Sequence, residues 1–178
     1  MSENQSETIH TPQTSILKTG SCNCGKLMFE VSEKPLFTVL CHCRMCRKGT
    51  GAPVSLVVAV PPNGFKWKTK TGFTTDQLLK IVPFSEKFNG MYCAECNGFV
   101  AQHLTGGPIV STMGCCYDEM KNAFCPGEEV VKKDAFFQPI CHVNYENRVI
   151  DIPDKLPKFM DFSAPYGSGR MFTEEEEK

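Results

Sequence analysis

The sequence predicts a single, mainly β domain. Three observations point there. Apolar residues recur at every second position over several stretches, the pattern of a strand with one buried face. Gly and Pro punctuate the gaps between those stretches. A chain of 178 residues with 41% hydrophobic residues suits one domain with a real core.

The elements follow in order. Met1 to Thr19 is rich in Ser, Thr, Gln and Asn and reads as a disordered leader, 1–19. Leu27, Phe29 and Val31 then alternate with Lys26, Met28 and Glu30, and Phe65, Trp67 and Thr69 alternate with Lys66, Lys68 and Lys70. Both runs predict half-buried strands. Val54–Val60 and Pro108–Met113 are more continuously apolar and predict buried strands. Further strands are expected in Gln77–Val82, Lys87–Tyr92, Phe99–Leu104 and Ile140–Tyr145. Turns fall at Pro61-Pro62-Asn63-Gly64 and Gly106-Gly107-Pro108. A short helix is expected over Tyr117–Phe124. The domain proper spans 20–160, and 161–178 is a tail ending in the acidic run Glu174 to Glu177.

Net charge is −1 and the isoelectric point is about 6.4. There is no basic excess to attract nucleic acid or an anionic surface. No apolar stretch is long enough to span a membrane, and the polar N-terminus has no signal-peptide core. Eleven cysteines, an odd number, therefore point to a reducing, cytoplasmic setting in which clustered thiols bind metal. Oligomeric state has no signature in the sequence.

Seven of those cysteines form three clusters: Cys22-Asn23-Cys24, Cys41-His42-Cys43-Arg44-Met45-Cys46, and Cys93-Ala94-Glu95-Cys96. In extended chain, residues two apart share a face, so a C-x-C pair can offer both sulfurs to one ion. A C-x-x-C pair does the same around a tight turn, as in a zinc knuckle. Seven divides as four plus three. Structural zinc takes four protein ligands, whereas catalytic zinc keeps three and leaves one position open. Cys41, Cys43 and Cys46 can grip one ion locally. Cys22, Cys24, Cys93 and Cys96 would close a cage across the fold. Buried structural thiols, or one shared site with spare cysteines, are the competing readings. Cys115, Cys116, Cys125 and Cys141 read as small buried hydrophobes. His42 should point away from the metal, His103 and His142 read as satisfied core histidines, and His10 belongs to the leader.

These motifs resemble the family of glutathione-dependent formaldehyde-activating enzymes, which includes the zinc domain of centromere protein V. The matching residues are Gly20-x-Cys22-x-Cys24-Gly25, Cys41-His42-Cys43-x-x-Cys46 with Arg47-Lys48 and Thr50-Gly51-Ala52, and Tyr92 before Cys93-x-x-Cys96. Ile152 to Phe159 is similar to the family's closing segment. The resemblance implies two packed antiparallel sheets, similar to a small zinc protein that binds Rab GTPases. It implies a structural zinc on Cys22, Cys24, Cys93 and Cys96 and a labile or catalytic one on Cys41, Cys43 and Cys46. It also implies carbon–sulfur lyase activity on S-hydroxymethylglutathione. Glycine commonly follows the last cysteine in that family. Here Asn97 intervenes, a residue that tolerates the left-handed conformation.

Three cysteinates leave zinc with a formal charge of −1, a poor Lewis acid for making hydroxide but a good host for a soft thiol. The expected partner is a small-molecule thiol adduct with glutathione as co-substrate. Arg44, Arg47 and Lys48 are placed to hold its carboxylates or offset the trio's charge. Glu95 is a weaker acid–base candidate. The alternative is a non-enzymatic zinc module associated with chromatin or a GTPase.

Overall fold

The computed structural model describes residues 16–120 and 134–173. Residues 1–15, 121–133 and 174–178 lie outside it, and with them His10, Cys125 and the acidic run. Ten strands form two sheets. The smaller has the order β1-β2-β5, with β1 at Lys18–Ser21, β2 at Leu27–Val31 and β5 at Phe65–Thr69. The larger has the order β10-β3-β4-β9-β8-β7-β6. Its strands are β3 (Phe37–Cys41), β4 (Ser55–Val60), β6 (Leu79–Pro83), β7 (Phe88–Cys93), β8 (Phe99–Leu104), β9 (Val110–Met113) and β10 (His142–Val143). All pairs are antiparallel except β10 with β3, which is parallel. The expected class therefore holds, with one parallel edge added.

Period-two patterning fixes which side of each strand is buried, and the large sheet uses both of its faces. One face meets the small sheet. Leu27, Phe29 and Val31 from β2 pack there with Val58, Val60, Val100 and Ala101. Phe29 is the hub, with Phe65, Trp67 and Tyr117 around its ring. Removing a side chain this buried costs about 3–5 kcal/mol. The other face carries Val39, Cys41, Val57, Met113 and Val143, and Phe159 and Phe162 cover it from the C-terminal segment.

The structure departs from the sequence pattern at several places. The expected helix at Tyr117–Phe124 does not form in its described part. Tyr117 bridges Gly20 instead, because its buried ring packs on Phe29, Phe136 and Phe137 and its hydroxyl bonds Thr112 at 2.7 Å. The stretch Gln77–Val82 divides between a helical turn α2 (Thr75–Leu78) and strand β6. A helix the sequence reading did not expect, α1, spans Arg44–Thr50. Lys18 and Thr19, read as leader, pair with Val31 and Glu30 in β1. Beyond residue 160 the chain returns, with Phe159 bridging Met171.

Candidate metal centres

Two turns from different sheets build the first centre. The β1–β2 turn reverses at Gly25 (φ 71°) and presents Cys22 and Cys24. The β7–β8 turn presents Cys93 and Cys96, with the Asn97 N–H donating to the Cys93 carbonyl at 2.9 Å. Asn97 adopts φ 54°, the left-handed conformation expected of it. The four sulfurs lie within 4.8 Å of one another. Cys22 Sγ is 3.4 Å from Cys24 Sγ, and Cys24 Sγ is 3.8 Å from Cys93 Sγ. A disulfide would need about 2.05 Å. Tetrahedral zinc with bonds of about 2.3 Å separates its sulfurs by about 3.8 Å, so the set fits such an ion. Burial pushes the Cys93 thiol up to about 12. Burial also raises Cys96, but hydrogen bonds from the backbone at Gly98 and Cys24 and from the Cys24 and Cys93 thiols together bring it down to about 7. Glu95, the acid–base candidate, is instead paired with Lys26 at 2.6 Å.

The second centre is local. Cys41 ends β3, Cys43 is the N-cap of α1, and Cys46 lies one turn into that helix. Their sulfurs also lie within 4.8 Å of one another, and among the described residues no fourth Cys, His, Asp or Glu joins them. The Cys43 sulfur accepts the Cys46 N–H at 3.3 Å, in the place a Ser or Asp oxygen usually takes. Hydrogen bonds from Cys41 and Cys46 push Cys43 down to about 3. The hydrogen bond with Cys43 raises Cys41 to about 12, and bonds with Cys41 and Cys43 raise Cys46 as well. Their shared hydrogen bonds thus favour the thiolate at Cys43 and disfavour it at Cys41 and Cys46. A cation that neutralises three thiolates suits the trio, which is the donor set of a soft divalent metal such as zinc.

Side chains from distant strands complete this centre. Gln102 Nε2 donates to Cys46 Sγ and Asn144 Nδ2 to Cys41 Sγ, each at 3.7 Å. Gln102 is 8% exposed, and its Oε1 is buried without a partner. Leaving an acceptor so costs about 1–3 kcal/mol. His42 points away from the trio as expected, with Nε2 2.9 Å from His142 Nδ1. His142 Nε2 in turn meets Asp154 Oδ2 at 3.0 Å, and the Tyr145 ring packs on both imidazoles. Burial, then the neighbouring His142, pushes His42 down to about 4, so it is neutral. A cleft of about 160 Å³ opens beside the trio, lined by Cys41, Gln102 and mostly apolar side chains.

Other expected residues fall differently. Arg44 and Lys48 are exposed on α1, while Arg47 Nε donates to the His42 carbonyl at 3.2 Å. None of the three lines the cleft. Cys141 is buried as expected, but Cys116 is half-buried and Cys115 exposed, because Gly114–Cys116 forms a 3-10 turn rather than strand. His103 Nδ1 lacks a hydrogen-bond partner, so it is not the satisfied core histidine expected. Gln102 and Asn144 were not anticipated. A glutamine inside the apolar run Phe99–Leu104 is the one sequence signal that could have marked the first. Asn144 carried none.

Residues 17–138 match the family model described as glutathione-dependent formaldehyde-activating enzyme. No protein of curated function matches the chain. Among solved structures, the crystal structure of a Rhodobacter sphaeroides protein aligns with 57% of this chain and 88% of its own, at 16% identity and a TM-score of 0.45. No helix among the described residues is long and apolar enough to cross a membrane.

Proposed function

The chain belongs to the family of glutathione-dependent formaldehyde-activating enzymes, and from that premise we propose that it is a zinc-dependent carbon–sulfur lyase-like enzyme. It makes and breaks the adduct of glutathione, or another thiol, with formaldehyde or a related small electrophile. One observation carries the reading: four sulfurs converge at one centre and three at the other. A zinc ion held by Cys41, Cys43 and Cys46 would keep a position for a soft thiol, deprotonate it and fix its sulfur.

The chain's own residues prepare that position. The amide donors of Cys46, Gln102 and Asn144 stabilise negative charge on the trio. The N-terminal end of α1 adds its positive dipole at Cys43. The His42–His142 contact ties β3 to β10 beside Cys41 and Cys43. Arg44 and Lys48 lie one helical turn apart and would hold glutathione's two carboxylates. Arg47 anchors the start of α1 through its bond to the His42 carbonyl.

In the forward direction a carbon–sulfur bond forms, the carbonyl π bond opens, and the thiol proton ends on the oxygen. Nothing is oxidised or reduced. Holding the reactants in line contributes a share of the roughly 7–11 kcal/mol available from ideal positioning. Exchange spectroscopy on a glutathione–formaldehyde mixture tests the reading. Zinc-saturated protein should speed adduct exchange, and Cys41→Ser should abolish that effect in a protein that still folds. Failure to accelerate this or any other thiol adduct would refute the proposal.

A further inference from the structure

The cleft beside the trio has a chemistry of its own. Phe37, Val39, Val57, Leu104, Phe162 and Tyr166 form half of its lining, and no Lys, Arg, His, Asp or Glu contributes. Sheet register explains why these residues share a wall. Val39 opposes Val57, and Gln102 opposes Ser111, on the face turned away from the small sheet. The C-terminal segment closes the opposite side, where the rings of Phe37 and Tyr166 lie 6.0 Å apart. Such a lining rejects the carboxylates and ammonium of glutathione and favours hydrocarbon.

Cys41, Gln102 and Ser111 bring polar atoms into that apolar frame. Cys41 lines the cleft, so the trio borders it. Gln102 lines it too, and this glutamine is 8% exposed with Nε2 committed to Cys46 Sγ and Oε1 unpartnered. An unpartnered buried acceptor has a hydrogen bond left to accept. A hemithioacetal, R–CH(OH)–SR′, supplies three matching parts: a sulfur for the trio, a hydroxyl proton for Oε1, and an R group for the hydrocarbon walls. In the formaldehyde adduct R is a single hydrogen, which leaves the cleft unfilled. A cavity of roughly 150 Å³ lined by apolar side chains takes a benzene ring, and this one measures about 160 Å³.

We propose that the cleft binds the side chain of an apolar aldehyde, phenyl-sized or a hydrocarbon chain of similar bulk, within its thiol adduct, with Gln102 Oε1 accepting the adduct hydroxyl. The inference rests on the thiol-adduct reading above and names its electrophile. The chemistry is the same balanced addition: carbon–sulfur bond made, carbonyl π bond opened, thiol proton moved to oxygen.

The test has two arms on the full-length, zinc-loaded protein. In the first, benzyl alcohol is titrated while methyl resonances of Val39, Val57, Leu104 and Ile109 are followed by NMR. Saturable shifts confined to these methyls are expected, with none from methanol. Gln102→Leu should weaken benzyl alcohol at least fivefold and leave toluene unchanged. In the second, adduct exchange with glutathione is compared for formaldehyde, hexanal and benzaldehyde. At least tenfold higher kcat/KM for the two larger aldehydes is expected, reduced to the formaldehyde level by Ile109→Trp, a residue that lines the cleft. If formaldehyde remains the better substrate, this inference is overturned and the proposed function stands. Absent shifts at the cleft methyls overturn it equally. Cleft binding without exchange of any adduct overturns the proposed function and the aldehyde assignment with it.

Discussion

Cys43 caps α1 by accepting the Cys46 N–H and also supplies one of three converging sulfurs. The same backbone donor that starts the helix therefore stabilises the thiolate. Cys43→Ser keeps a capping oxygen, since Ser is a preferred N-cap, but loses the soft ligand. Helix content should be unchanged by circular dichroism, while affinity for the second zinc falls at least a hundredfold. Gln102→Leu separates support from ligation. It removes the Nε2 donor to Cys46 and should lower second-site zinc affinity about 10-fold, within the 10–100-fold typical of residues that steady metal ligands. A competition titration with a zinc chelator reads both changes. At this scale the sequence was legible wherever chemistry clusters along the chain, as it does for all seven cysteines. It was not legible for Asn144, which reaches Cys41 Sγ from 103 positions away.

At the scale of elements, period-two alternation marked β2 and β5 clearly because one face of each meets the core. Helix α1 escaped because its N-cap is a cysteine, outside the usual capping residues. Its packing depends on Gly49, where an added Cβ would come within 2.6 Å of the Phe99 ring. Gly49→Ala should push α1 off β8, loosen Cys46 and weaken the second zinc. The global cost should be about 1–3 kcal/mol, as for other overpacked sites, and the thermal midpoint measures it. Strand β1 carries a separate marker. Lys18 pairs with Asp134 at 2.6 Å, and this bond holds the Asp134 carboxyl below its usual value. A lowered carboxyl stabilises the fold above the ordinary carboxylate range, and the gain is lost as pH falls through the lowered value. Lys18→Met should therefore cost stability at pH 7 but almost none at pH 2. Being partly exposed, the pair should contribute less than about 1 kcal/mol in urea titrations.

Across the whole molecule the two centres have different structural weight. The four-sulfur cage joins the end of β1 to the β7–β8 turn, so it links the two sheets. Binding energy of about 10–16 kcal/mol at such a site rivals the 5–15 kcal/mol of a whole domain. Cys22→Ser or Cys96→Ser should leave the chain unfolded or insoluble, as sedimentation after expression would show. The trio sits on the opposite face of the large sheet, so its loss should leave the core between the sheets intact. The family match ends at residue 138, yet Asn144, Phe162 and Tyr166 contact the trio or line the cleft. The cleft is thus set partly by a segment beyond the matched region, which is why the motifs pointed to the chemistry and not to the shape of the substrate.

Zinc counted by native mass spectrometry during stepwise chelation, with near-ultraviolet circular dichroism on the same samples, tests the four-and-three division most directly. Two ions per chain are expected, the first leaving with the tertiary signal unchanged and the second only as that signal collapses. Cys41→Ser should begin with one. A wild-type chain that binds no zinc, binds a single ion, or loses two ions together with its fold would contradict the account.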